Sequence, residues 1–324
     1  MTVLAMSSFN DAGQPAMTAT TLVLGMGATG QSVARWLARE GATACFADEH
    51  SEVNHVLIRD ILPDAKCMTG FDALDVTQFD QIVVSPGIPD TTPILQRAFM
   101  ARVPVISDVE LFLRDARARV VGVTGTNGKS TVVTLLATMC EHAGVRHAAG
   151  GNLGPPALDL PALETDDVYV LELSSYQLQR THNLVLHAAA ILNIAPDHLD
   201  WHRDFAEYRA AKARILADTA YAIVNADAPY VDLVGDTHGE LVRFTLGRPG
   251  DVRTFGVIED AGEDWLAFGR ERLLPVAALG LKGRHNTANA LAALALGSSI
   301  DLPMSAMLSA LREFTGLAHR HEWV

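Results

Sequence analysis

An α/β protein built from two sheet-centred domains is the fold class this sequence predicts, and three observations predict it. Apolar, β-branched runs alternate with helical patterns along most of the chain, which implies βαβ units around parallel sheets. Two of those runs, at 21–26 and 118–125, lead into a glycine turn that opens a helix. The length, 324 residues, corresponds to two domains at roughly 150 residues each.

The elements follow in order. A buried strand is predicted over 21–26, then a helix from about Gln31 to Glu40, ended by Gly41. Strands follow at 42–47, at 81–85, where Pro86-Gly87 breaks the run, and at 103–107, before a helix with Asp108 near its start. A second series begins with the strand at 118–125 and a helix over 128–143. It continues with strands at 167–174 and 187–195, a helix over 205–219 and a strand at 221–227. Residues 230–280 change character, with short strand-like pieces, turn glycines and an acidic loop at 259–264, and predict a small, mostly antiparallel sheet. Two amphipathic helices, NTANALAALALG and PMSAMLSALREF, complete the pattern. The two domains are expected to join near residue 116, as 20–116 and 117–316, with a flexible stretch at 1–19 and a linker at 317–324.

Composition excludes several classes. Hydrophobic residues make up 49%, enough for packed cores and too many for a disordered chain. Lysine and arginine number 25 against 38 acidic residues, a formal charge of −13, so a broad surface for nucleic acid or anionic membrane is not expected. Three cysteines at wide spacing, Cys45, Cys67 and Cys140, fit a reducing compartment better than a disulfide scaffold or zinc ribbon. Without a secretory leader or membrane span in the sequence, the expectation is a soluble cytoplasmic protein.

The chemistry concentrates at the glycine turns. Gly25-Met26-Gly27-Ala28-Thr29-Gly30 has the G-x-G-x-x-G spacing that brings backbone close to a phosphate at a helix N-terminus. Asp48 closes the next strand, where a carboxylate takes a ribose hydroxyl, so this turn alone reads as a dinucleotide site. The second turn, Gly125-Thr126-Asn127-Gly128-Lys129-Ser130-Thr131, supplies N–H groups for phosphates, a lysine for the β and γ oxygens and a hydroxyl for Mg²⁺. It is a variant of the mononucleotide loop, since the strict pattern places glycine where Val123 stands. A dehydrogenase has no use for the second turn, nor a GTPase for the first. Glu172 lies inside an apolar strand, where a charge needs a partner; a Mg²⁺ ligand at the strand's C-terminal end is favoured over an outward-facing edge position. Asp197, His198, Asp200 and His202 cluster after the next strand, which leaves His198 open between ligand and structural histidine. Lys212, on composition, is an ordinary helix lysine.

GTNGKST (125–131), GGNLG (150–154), LELSSYQL (171–178), the DHLD block (197–200), YRAAK (208–212), KGRHNTANALAA (282–293) and FTGLAHR (314–320) stand in the order found in the Mur ligases, which this chain resembles from about residue 20 onward. Mur ligases are the ATP-dependent amino-acid-adding enzymes of peptidoglycan synthesis. GMGATG, SPGI (85–88) and LELSSYQL resemble the branch that adds glutamate to UDP-N-acetylmuramoyl-L-alanine. The resemblance implies a Rossmann-like domain for the UDP part and a central P-loop-type α/β ATPase domain with the small antiparallel subsheet. It further implies a C-terminal amino-acid-binding domain beyond this chain, so that the 324 residues alone are expected to be nearly inactive. Implied UDP-substrate residues are Gly27, Ala28, Thr29, Asp48, Gly87, Asn152 and His198; the positions after Asp48, often Thr and Arg in the family, are Glu49 and His50. Implied ATP residues are Gly125 to Thr131, Asn286, Asn289 and Arg320. Ser130, Glu172, His198 and Lys212 are implied at two Mg²⁺ sites, Lys212 as a CO₂-derived carbamate, with Lys129, Glu172, His198 and Lys212 as the catalytic set. The expected partners are small molecules only, and the expected state is a monomer. The alternatives are another Mur-type or folylpolyglutamate-type amide ligase, a nucleotide-binding module without ligase chemistry and, from a different class, an NAD(P)-binding oxidoreductase.

Overall fold

A computed structural model describes residues 20–50, 52–198, 201–228, 237 and 239–316. The expected flexible start (1–19), the linker (317–324), Arg320 and Asp200 lie outside the described residues. The chain sorts into two compact units. The first holds the residues up to Arg114 together with two short returns, Pro156–Asp159 and Arg180–His182.

In this first unit the elements are β1 (Thr21–Leu24), α1 (Ala28–Arg39), β2 (Cys45–Asp48), α2 (Glu52–Ile61), β3 (Lys66–Thr69), β4 (Gln81–Val84), α3 (Pro93–Ala101), β5 (Val105–Ile106) and α4 (Asp108–Asp115). The five strands are parallel, in the order β3-β2-β1-β4-β5. β1 and β4 are buried along their whole length, which is why they read as unbroken apolar runs. Leu22, Leu24, Ile82, Val84, Ile94 and Leu95 form the core. Pro93 opens α3, where its fixed φ fits and its missing N–H costs nothing. The chain moves from β1 outward to β2 and β3, then returns to the other side of β1 as β4, so a crevice forms beyond the C-terminal ends of β1 and β4. The two returns are sewn into this unit: Arg35 donates twice to Asp159 at 2.6 and 2.8 Å, and Ser107 N–H donates to the Arg180 carbonyl at 3.0 Å.

The second unit contains β6 (Arg119–Thr124), α5 (Lys129–His142), β7 (His147–Gly151), β8 (Val168–Glu172), α6 (Ser175–Gln179), β9 (Val185–Ile191), α7 (Phe205–Ala213), β10 (Asp218–Asn225), β11 (Glu240–Phe244), β12 (Thr254–Asp260), β13 (Glu263–Phe268), β14 (Glu271–Pro275), α8 (Arg284–Ser299) and α9 (Met304–Glu313). One nine-stranded sheet runs β14-β13-β12-β11-β10-β9-β6-β8-β7. The antiparallel subsheet is the β12–β13–β14 edge of that continuous sheet, and β11 joins its neighbours in parallel. The order reverses about β6: the chain leaves it for β7 and β8, then pairs on its other side as β9. The C-terminal end of β6 is therefore the switch point of this sheet.

Three expectations change. The helix predicted over 205–219 stops at Ala213, passes through one 3₁₀ turn and becomes β10 at Asp218. α8 is not amphipathic: Asn289 to Gly297 are all buried, and its run of alanines lies within the hydrophobic core that α5 and α9 share. β3 and β7 carry no signal of a buried strand, because each is an edge strand, KCMT and HAAGG, with partly open residues and no apolar run.

Candidate active site

The phosphate loop leaves β6 at Thr124 and enters α5 at Lys129. The segment after β9 runs alongside and fixes it. Thr126 N–H donates to the Asn193 carbonyl at 2.9 Å and Asn127 N–H to Asn193 Oδ1 at 2.8 Å, while Asn193 Nδ2 donates back to the Asn127 carbonyl at 2.9 Å. Thr126 Oγ1 accepts from Ala195 N–H at 3.0 Å and sits 3.0 Å from the Tyr208 hydroxyl. Gly128 has φ +86°, and a Cβ there would stand 2.5 Å from Asn289 Oδ1, so only glycine fits. No side chain caps α5 at Gly128, which leaves its first N–H groups available to an anion. Lys129 Nζ folds over the loop and donates to the Gly125 and Thr126 carbonyls, both at 3.0 Å.

A cavity of about 630 Å³ opens over this loop. Thr126 to Thr131 line it from one side and Asn286 and Asn289 of α8 from the other. Gly125 is not among the lining residues; its carbonyl accepts from Lys129 and Lys212 Nζ. Asn193, Asn225, Phe244 and His285 also line the cavity and escaped the sequence reading. A signal existed for the two asparagines: each is a polar residue at the C-terminal end of an apolar strand, where open α/β sheets present ligand contacts.

Glu172 ends β8 with 2% of its surface exposed. Ser130 Oγ donates to Oε2 at 2.8 Å, and Asn152 Nδ2 donates to Oε1 at 2.8 Å. No cation among the described residues forms an ion pair with it, and both its side-chain donors are neutral. A buried carboxylate with neutral donors and a hydroxyl beside it suits Mg²⁺, which prefers hard oxygen ligands, so Glu172 and Ser130 fit such an ion. Asn152, implied as a substrate contact, holds Glu172 instead of standing free.

Lys212 is not a solvated helix lysine. It is 2% exposed, and its Nζ donates to the Gly125 carbonyl at 2.9 Å and Thr124 Oγ1 at 3.3 Å, with the Tyr208 ring 4.7 Å away. Burial first, and the charge of Lys129 second, push its pKa down from 10.5 to about 7, against the opposing pull of Asp197 and Glu172. An amine buried this way is about half neutral at pH 7, where an ordinary lysine is almost wholly protonated. The His198 ring lies 6.3 Å from the Tyr208 ring that packs on Lys212. His198 has φ +53°, is about half exposed, and lies 3.6 Å from Asp197 Oδ2 with its ring edge-on to Tyr176. His202 is buried and bonds Ser175 Oγ at 2.9 Å, a structural position. Of the four residues implied at metal sites, the structure joins Ser130 and Glu172 directly and sets Lys212 beneath the same loop. Among the described residues no three His, Cys, Asp or Glu side chains cluster as a ready-made metal cage.

In the first unit, Gly27, Ala28, Thr29, Asp48 and Gly87 line one cavity of about 410 Å³ at the β1/β4 crevice. Asp48 is already engaged: Oδ2 accepts from Met26 N–H at 2.7 Å and Oδ1 from His50 N–H at 3.0 Å, so the carboxylate shapes the glycine turn. Asn152 and His198, implied for the same substrate, belong to the second unit.

Residues 19–107 match the N-terminal domain described as Mur ligase MurD-like, and residues 123–297 match the Mur ligase middle domain. The UDP-N-acetylmuramoylalanine–D-glutamate ligase of Nitrosococcus oceani is 47% identical over 317 residues, covering 97% of this chain and 70% of the relative. The ligase of the same name from Methylobacillus flagellatus is 44% identical over 307 residues, covering 94% of this chain and 68% of the relative. Among solved structures, the UDP-N-acetylmuramate:L-alanyl-γ-D-glutamyl-meso-diaminopimelate ligase of Neisseria meningitides superposes with a TM-score of 0.62 at 19% identity, over 93% of this chain and 99% of that one. The UDP-N-acetylmuramate–alanine ligase of Thermotoga maritima gives 0.56 at 22%, over 92% and 69%. At those identities the superpositions speak for the fold, whereas the relatives 44% and 47% identical over nearly all of this chain speak for descent: the chain belongs to the Mur ligase family.

Proposed function

We propose that this protein joins D-glutamate to UDP-N-acetylmuramoyl-L-alanine with cleavage of ATP to ADP and phosphate. The observation that carries the reading is the pairing of a buried carboxylate, Glu172, with the Ser130 hydroxyl at the head of a lysine-bearing phosphate loop, in a chain 47% identical to a ligase of that name. The first unit holds the UDP part, with Gly27, Ala28, Thr29, Asp48 and Gly87 around the diphosphate end, and the second is the ATPase. Asn152 and His198 serve the substrate's reacting end. ATP takes the larger cavity, with Gly125 to Thr131 on its phosphates, Asn286 and Asn289 beside it, and Arg320 completing the set.

The substrate's alanyl carboxylate attacks the γ-phosphorus, and ADP leaves with the electron pair of the broken P–O bond. The amine of glutamate then attacks the acyl phosphate, inorganic phosphate departs, and the amine's proton is lost to give the amide. Such a transfer needs positioning and charge stabilisation more than covalent help from the protein. Lys129 meets the β and γ oxygens. Ser130 and Glu172 would hold one Mg²⁺, which would neutralise charge on the transferring phosphoryl group. The neutral fraction of Lys212 would add CO₂ with loss of a proton to give a carbamate, which with His198 would supply ligands for a second Mg²⁺. The reading makes the protein a cytoplasmic monomer serving peptidoglycan synthesis. No helix among the described residues is long and apolar enough to cross a membrane.

Phosphate release from ATP, measured with UDP-N-acetylmuramoyl-L-alanine in the presence and absence of D-glutamate, tests the proposal. Release that requires both, with formation of the amide, is the expected result. ATP hydrolysis indifferent to the UDP substrate, or saturable NAD binding in place of ATP, would overturn it.

A further inference from the structure

Arg180 follows α6, on the stretch of chain that leaves β8 after Glu172, yet it belongs to the first unit. Only 3% of it is exposed. Its guanidinium donates from Nη2 to the Ile88 carbonyl at 2.6 Å and to Asp90 Oδ1 at 2.7 Å, from Nε to the same Oδ1 at 3.2 Å, and from Nη1 toward the Ser85 carbonyl at 3.5 Å. All three partners stand on the loop that follows β4. That loop forms one wall of the 410 Å³ cavity through Ser85, Gly87 and Ile88. Its other attachments include Ser85 N–H to the Leu24 carbonyl at 2.9 Å and Ile88 N–H to the Ser85 carbonyl at 3.1 Å at its start, and Gln96 Nε2 to the Asp90 carbonyl at 2.7 Å at its far end. Ser85 also presses on the glycine turn: a Cβ at Gly25, which has φ +93°, would stand 2.4 Å from Ser85 Oγ. The loop is short, contains Pro86, Gly87 and Pro89, and has few N–H groups with which to hold itself.

Arginine suits this task. Its planar fork can take a carbonyl and a carboxylate at once, which fixes orientation as well as distance, and a lysine offers only a point charge. The backbone around Arg180 is itself anchored. Its carbonyl accepts from Ser107 N–H at 3.0 Å, Thr181 Oγ1 bonds Ser107 Oγ at 2.8 Å, and His182 N–H donates to Glu110 Oε2 at 2.7 Å. The guanidinium is thus a fixed post and the loop is tied to it.

We propose that Arg180 is a positioning residue for the UDP substrate: it sets the Ser85–Asp90 loop that walls the first unit's cavity, without touching the substrate. The inference rests on the UDP reading of that cavity and adds to it a residue contributed by a distant part of the sequence.

The test uses the whole protein, UDP as probe and ATP as control. Arg180→Ala is expected to weaken UDP binding by at least ~10-fold, the usual worth of charged hydrogen bonds, and to leave ATP binding within about twofold. Arg180→Lys, which keeps the charge and loses the fork, should recover part of the affinity. It should also speed hydrogen exchange at the 87–88 amides, a readout that needs no ligand. Asp90→Asn should have a smaller effect, since the Ile88 carbonyl contact survives. An alanine variant that binds ATP normally and UDP as tightly as wild type would overturn the proposal, as would equal losses for both nucleotides. Should the alanine variant fail to fold, a lysine variant with wild-type loop exchange and wild-type UDP affinity would overturn it as well. Failure of wild-type protein to bind UDP would refute the substrate reading itself, whereas loop exchange reports on Arg180 in either case.

Discussion

Replacing Lys212 with methionine should stabilise this protein while destroying its activity. Methionine has nearly the same length and no charge to bury. In the folded chain the Lys212 pKa falls from 10.5 to about 7, principally through burial. The gap between those values, at 1.36 kcal/mol per pH unit, makes protonated Lys212 a burden of about 5 kcal/mol on the folded state at most. Against this stand the two hydrogen bonds to Gly125 and Thr124, worth about 1 kcal/mol each. Neither partner is orphaned by the change, because the Gly125 carbonyl still accepts from Lys129 and the Thr124 hydroxyl still donates to the Leu173 carbonyl. A net gain of roughly 2 kcal/mol remains after discounting for relaxation, or about 4–8 °C in the midpoint of the second unit. The pH dependence follows from the direction of the shift. Below pH 7 the amine is protonated in both states and the burden is full. As pH rises through 7 the folded state sheds its proton first, and above 10.5 nothing is left to remove. The advantage of the variant should therefore shrink by about 2–3 kcal/mol between pH 6 and pH 9. Denaturant unfolding of both proteins in CO₂-free buffer at those two pH values measures it, and an amide-forming assay should show activity at least ~100-fold lower. A variant less stable than wild type at pH 6, or a stability difference that does not change with pH, would refute the burial argument for Lys212.

Three further outcomes follow. Gly128→Ala, forced to φ +86° against Asn289, should weaken ATP binding by ~10-fold or more with a lower thermal midpoint; calorimetric titration of ATP checks it. Glu172→Gln should leave the metal-free fold as stable as wild type, since no cation pairs with the carboxylate, yet lower Mg²⁺-dependent turnover by ~100-fold or more. Thermal unfolding in chelator beside a Mg²⁺ titration of activity separates the two effects. Tyr208→Phe, which removes the hydroxyl beside Thr126 Oγ1, should cost about 1 kcal/mol of stability, read from denaturant unfolding, with the Lys212-facing ring kept.

What the sequence disclosed of the fold depended on burial. β1, β4, β6 and β8 are buried on both faces, so each announces itself as an apolar run, and the two glycine turns mark where β1 and β6 end. β3 and β7, at sheet edges, need no such run and gave no signal. Short-range chemistry was equally readable: a lysine and a hydroxyl after Gly128 could serve little else. Contacts between residues far apart in sequence were not. Asn193 and Asn225 stand out as polar residues at strand ends, but that Asn193 closes on Asn127, and that Asn225 and Phe244 line the larger cavity, depends on which strand neighbours which, and composition does not carry that order.

Lys212 and Arg180 show the same limit for charge. Both are ordinary on composition, and both are buried almost completely by the fold. A buried charge must be partnered or neutralised, and the two are handled differently. Lys212 meets carbonyl and hydroxyl oxygens and a nearby lysine, so its proton is held weakly. Arg180 cannot shed its proton at any working pH and is given Asp90 and two loop carbonyls. One site thereby holds an amine that loses its proton near pH 7 and the other a charged guanidinium fixed by its partners, and those partners are acquired on folding, not read from neighbours in sequence.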